Sequence, residues 1–146
     1  MSLKEKISAD MKEAMKARDQ VKVDTLRAAL SAFTYRRTES GADELSEAEE
    51  IEVIQKQVKQ RNDSINEYTK AGRTELADKE AAERDILMKY MPEQKSEAEI
   101  REMIKKIISE MDGPKNQGTV MRVAMPQLKG LADGNLVRKI VMEELA

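Results

Sequence analysis

Five cations stand between Gly113 and Met142, namely Lys115, Arg122, Lys129, Arg138 and Lys139, and Asp133 is the only acid among them. That segment is +4 while the whole chain is −2, so the remaining residues carry −6. Clustered ammonium and guanidinium groups neutralise phosphate, a binding chemistry that ignores sequence and weakens with salt. Within it, the stretch from Gly118 to Val141 holds Gly118, Gly130 and Gly134, three of the six glycines, and Pro126. Lys129-Gly130 reads as a loop that brings a backbone N–H and an ammonium to a phosphate. Asp133 opens a helix whose first amides favour an anion. The segment reads equally as a helix–helix turn in which Gly130 and Gly134 supply backbone freedom. Asp133 is then an N-cap whose own charge opposes a phosphate, and the cations form an ordinary solvated face.

Composition bounds the alternatives. The chain has no His and no Cys. Ser-His-Asp and Cys-His catalysis, imidazole bases, disulfides and the common zinc sites are excluded. Gly-rich nucleotide-binding motifs are absent, so no cofactor is expected. Acidic clusters such as Asp43-Glu44 lack EF-hand spacing, and helical di-metal carboxylate sites need Glu-x-x-His. The pI of about 5.5 and the lack of aromatics in the tail set any nucleic-acid affinity as modest and electrostatic. Arg36-Arg37 with Lys56, Lys59 and Arg61 form a second basic candidate, offset by Glu49, Glu50 and Glu52 as helix-surface charges. Arg61 and Asn62 interrupt an apolar stripe. Arg61 reads either as a buried partner of Asp63 or Asp85 or as an exposed binding group.

The elements that must position these residues are all helical. The chain of 146 residues is 40% hydrophobic and 37% charged, with three prolines and ten methionines. That mixture favours helix, with methionine filling the core. Ser2 and Glu5, Ser46 and Glu49, and Ser96 and Glu99 have capping-box spacing. They open helices carrying Leu3, Ile7, Met11, Ala14 and Met15, then Ile51, Ile54, Val58, Ile65 and Tyr68, then Ile100, Met103, Ile104, Ile107, Ile108 and Met111. The first is expected to run to about Ala17. A second helix carries Val23, Leu26, Leu30 and Phe33 and ends at Tyr35 to Thr38. A fourth, on a thin face of Leu76, Leu87 and Tyr90, stops before Pro92. A sixth holds Val120, Met121 and Ala124 and ends at Met125-Pro126. A last, capped by Asp133, holds Leu136, Val137, Ile140, Val141 and Leu145. No stretch alternates as a strand would. The expected architecture is all-α: a four-helix N-terminal bundle over 1–91 and a three-helix C-terminal domain over 92–146. The N-terminus has no signal-peptide core and no run spans a bilayer, so a cytoplasmic protein without a membrane partner is expected.

Gly118, Val120, Met121, Pro126, Lys129, Gly130, Ala132, Asp133, Gly134, Leu136 and Val137, in that spacing, resemble the tail signature of the YqeY-like family. That family shares its tail with the B subunit of the aspartyl/glutamyl-tRNA amidotransferase. The N-terminal half is similar too, in Leu3-Lys4-Glu5-Lys6, in Asp10 to Ala17, in Lys59 to Ile65, in Ala71-Gly72-Arg73 and in Tyr90-Met91-Pro92. Two positions depart: Leu131 stands where a basic residue is expected and Arg122 where a small one is. The resemblance implies an all-helical two-part fold and a link to tRNA, with chemistry left to other domains. The expected function is thus a non-catalytic tRNA-associated binding module, its contacts supplied by Lys115, Arg122, Lys129, Gly130, Arg138 and Lys139. The competing expectations are an accessory of a carbon–nitrogen ligase that uses glutamine as amide donor, and a protein–protein adaptor. Against catalysis, the chain offers eight serines, three of them at caps, and no His or Cys to activate them.

Overall fold

A computed structural model describes residues 2–146. Seven helices form: α1 (Leu3–Lys16), α2 (Gln20–Ser40), α3 (Glu47–Lys70), α4 (Thr74–Met88), α5 (Glu97–Glu110), α6 (Gln117–Leu128) and α7 (Gly134–Leu145). No strand occurs among the described residues. The chain divides into two compact units, one ending at Met91 and the other Pro92–Ala146.

Helix starts follow local chemistry. Ser46 and Ser96 make full capping boxes with Glu49 and Glu99. The Ser backbone N–H donated to each carboxylate, then the Ser side chain, holds both carboxyls below the usual range. Ser2 makes only half a box: its Oγ accepts from the Glu5 N–H at 3.2 Å. A further box, Asn116 with Thr119, opens α6, and the sequence reading missed it because Thr replaces the usual Glu or Gln. Asp133 occupies the N-cap of α7, but its side chain makes no cap bond.

Helix ends depart from expectation in two places. α2 continues past Arg36-Arg37 to Ser40, where Gly41 at φ 71° takes the left-handed position. α6 continues through Pro126 to Leu128. The proline lies in the final turn, so it forfeits one bond, to the carbonyl of exposed Arg122, while burial of Leu128 favours the continued helix.

In the first unit α1 packs on α2, α3 on α4, and α2 on both α3 and α4. Ile7, Leu26, Ala29, Phe33, Val53, Ile54, Val58, Leu87 and Tyr90 form its core. Leu76, placed on the inner face by the sequence reading, is 38% exposed, and Ala77 is buried instead. In the second unit α5, α6 and α7 pack pairwise around Ile100, Ile104, Ile107, Val120, Ala124, Leu128, Ala132, Val137, Ile140 and Val141. Methionine does not fill either core. Met103, Met111, Met121 and Met125 lie at the rim of one, Met11, Met88 and Met91 at the rim of the other. Stiff branched side chains lose less rotamer entropy on burial, so they take the centre and flexible Met covers the edge.

Candidate nucleic-acid interface

The second unit places the tail cations on outer faces. On α6, Val120, Ala124 and Leu128 are buried at steps of four. Arg122, two residues from Val120, is rotated about 200° from it at about 100° per residue, and it is exposed. On α7 the buried stripe is Val137, Ile140 and Val141. Arg138 and Lys139 flank it, both exposed and about 100° apart. Lys115 is exposed in the loop before α6, and Lys129 is the exposed residue that ends α6. Among the described residues Lys115, Arg122, Arg138 and Lys139 take part in no ion pair.

Gly130 is a different kind of residue. It is buried, its φ is 78°, and its carbonyl accepts from the Gln94 side-chain amide at 2.9 Å. Lys95 N–H donates to the Leu131 carbonyl beside it, at 2.8 Å. A buried left-handed glycine tied to the start of its own unit serves the turn. The backbone offered to phosphate in the sequence reading is therefore not at the surface here.

Counted over residues 92–146, nine cations meet nine carboxylates. Net charge therefore does not make this unit basic, and the placement of its carboxylates decides which cations stay unpaired. The key contact is Arg101 on α5. Its guanidinium donates to Glu144 at 2.8 Å and to Glu143 at 3.2 Å on α7, and to Glu97 at 3.4 Å on its own helix. Those α7 bonds, with Glu144 first, hold the guanidinium more firmly protonated than an ordinary one. Glu143 is four residues from Lys139, a spacing that ordinarily makes an ion pair. Arg101 takes that carboxylate, and Lys139 is left facing solvent.

The first unit's basic candidate is resolved the other way. Arg36 pairs with Glu52 at 3.3 Å and reaches Glu49 at 3.9 Å. Arg61 pairs with neither Asp63 nor Asp85. It lies 3.4 Å from Glu83, and both side chains are mostly buried. Arg84 donates to Asn62 at 3.1 Å, completing a polar seam between α3 and α4. The seam breaks the apolar stripe because its arginine is satisfied by a neighbouring helix, a partner no local spacing rule indicates. The Arg61 Nε meets Glu83 within ion-pair distance yet off hydrogen-bond geometry. The contact is thus chiefly coulombic, while Nη1 donates to Gln57 at 3.3 Å.

The chain is thus all-helical, in two small units, and the second carries exposed cations on the outer faces of α6 and α7. The profile described as "Yqey-like protein" matches residues 4–145, and the chain belongs to that family. Among curated relatives, "Altered inheritance of mitochondria protein 41, mitochondrial" of Pyrenophora tritici-repentis is 31% identical over 142 residues. The match spans 94% of this chain and 78% of the relative. The protein of the same name from Saccharomyces cerevisiae strain YJM789 is 31% identical over 129 residues, covering 87% of this chain and 68% of its own length. That from Lachancea thermotolerans is 30% identical over 107 residues, covering 72% and 57%. No helix among the described residues is long and apolar enough to cross a membrane.

Proposed function

We propose that the protein is a non-catalytic binding module that docks on tRNA, or on a complex handling it, through the outer faces of α6 and α7. The cytoplasm is the proposed setting, and the division into a four-helix brace and a three-helix docking unit is part of the reading. The supporting observation is the capture of Glu143 by Arg101, which keeps that carboxylate from Lys139 four residues away, beside an Arg138 that also has no carboxylate. A solvated surface minimises its energy by pairing such charges locally. A surface that keeps them unpaired retains the full counterion-release term for a phosphate backbone. The tail has no aromatic stacking platform, so the binding is sequence-tolerant.

The test is a titration of bulk tRNA at low and at physiological salt. Binding is expected at low salt and falls steeply as salt rises. Replacing Arg122, Arg138 and Lys139 together by Glu should weaken it by about tenfold or more and flatten the salt dependence by about two to three counterions. No binding at low salt, or an unchanged affinity in the triple variant, rejects the reading. The adaptor alternative has its own support in Val123 and Met142, which are 38% and 55% exposed on the same two helices. Co-purification of a protein partner that survives nuclease treatment and is lost with Met142→Glu would favour it.

A further inference from the structure

The first unit carries an open pocket of about 460 Å³ between the start of α1, the C-terminal half of α2 and the loop leading into α3. Phe33, Leu45 and Ala9 give it an apolar floor, while Ser8, Thr34 and Glu50 bring polar atoms to it. Glu50 is the unusual member. It lies in the first turn of α3, among acids that belong on a solvated face, yet it is only 4% exposed. A carboxylate at that depth must be compensated by hydrogen bonds or by an opposite charge. Among the described residues, only half of that compensation is supplied. Oε2 accepts the Lys4 N–H of α1 at 2.9 Å. Among the described residues no donor reaches Oε1 and no cation pairs with Glu50. Oε1 is not sealed from solvent either, and the side chain that bears it lines the pocket.

We infer that this pocket binds a small organic cation with a primary ammonium head, seated on Glu50 Oε1 with its apolar stem against Phe33 and Leu45. The inference is separate from tRNA docking and uses none of its residues. Three observations select the head group. The pocket's charged lining comprises four carboxylates, Glu5, Asp43, Glu44 and Glu50, and three cations, Lys4, Lys12 and Arg37, so the balance favours a cation. An ammonium is a compact point charge with three donors. Glu50, Ser8 and Thr34 all line the pocket and bear acceptor oxygens. The Thr34 hydroxyl already donates to the Leu30 carbonyl at 3.2 Å, which leaves its oxygen to accept. A guanidinium gains its advantage from gripping both oxygens of a carboxylate. Here Oε2 already accepts the Lys4 N–H, so a guanidinium's two-oxygen grip would have to share that oxygen with the helix backbone. A quaternary ammonium has no donor at all.

The experiment uses the whole chain and follows backbone amide resonances during titration with n-butylammonium chloride, against sodium chloride at matched ionic strength. Saturable shifts are expected at Ser8, Phe33, Leu45 and Glu50. Butylguanidinium and butyltrimethylammonium should each bind about tenfold more weakly. Glu50→Gln keeps an acceptor for the Lys4 N–H but removes the charge, and should lose about tenfold or more in affinity. Should that variant fail to fold, Ser8→Leu fills the pocket from α1 without touching the carboxylate and should abolish the shifts. The assignment is overturned by an absence of saturable shifts up to about 100 mM. Equal binding of the quaternary ion, equal binding of the guanidinium, or an unchanged affinity in the folded variant overturns it too.

Discussion

The two units commit their arginines to different extents. In the first, Arg36 meets Glu52 and Glu49, Arg61 meets Glu83, and Arg84 meets Asn62, so cationic groups knit one helix to the next. In the second, Arg101 alone gathers Glu97, Glu143 and Glu144, while Arg122, Arg138 and Lys139 are left without carboxylates. Their cores differ correspondingly. The second unit is held by a continuous apolar cluster in which eight of the ten members are 0% exposed, all but Ile107 and Ala132. A unit stabilised by packing can leave surface charge uncommitted. In the first unit Arg36, Arg61 and Arg84 are committed between helices, while among the described residues Arg18, Arg27, Arg37 and Arg73 take part in no ion pair. The comparison teaches that cation count is a poor guide to a binding surface, and the position of competing carboxylates a better one.

The comparison breaks first at the packing. Ile104→Ala in the second unit should cost about 2–4 kcal/mol, read by denaturant unfolding followed by circular dichroism. Hydrogen exchange should localise the loss to Pro92–Ala146. A loss below about 1 kcal/mol would mean that this unit does not rest on its apolar cluster.

Next in size is a polar anchor of the first unit. Tyr90 is 8% exposed and its hydroxyl donates to Asp10 at 2.5 Å. Burial first, then the bond to Asp10 and its charge, push the phenol well above its ordinary value of 10.0. The folded state therefore favours the neutral phenol. Its stabilisation is complete below about pH 10 and is lost as pH rises beyond that, because the unfolded chain releases the proton first. Tyr90→Phe should cost about 1–2 kcal/mol at pH 7. The variant should also unfold less steeply than the parent as pH climbs above about 10, with thermal scans at stepped pH as the measurement.

The smallest effect sharpens the contrast. Arg122→Ala, Arg138→Ala and Lys139→Ala should each change stability by less than about 0.5 kcal/mol, since none is tied to a carboxylate. A larger loss in unfolding free energy for any of them would return that side chain to a structural role and remove it from the proposed docking surface.

Much of this architecture is local and therefore legible. Ser46 with Glu49 and Ser96 with Glu99 announce two helix starts because a cap is a contact over three residues. Gly41 and Gly72, both at positive φ, mark two ends. The steps of three and four in Ile100, Ile104 and Ile107 identify a face that must be buried. The absence of His and Cys fixes the reactions this chain cannot perform, whatever its fold.

The tertiary structure alone decided which charges remain available. Glu50 and Glu49 are neighbours in a run of acids, yet one is buried against the start of α1 and the other caps its own helix. Gly130 and Lys129 are neighbours in the tail motif, yet one is buried within a turn and the other is exposed. Arg61 finds Glu83 on the next helix, and Arg101 draws Glu143 away from a lysine only four residues distant. Residue order fixes the character of each side chain and its partners within a turn or two, because those distances are set by the backbone. It leaves open which distant carboxylate reaches which cation, because that depends on how packed helices bring residues together that the chain keeps far apart.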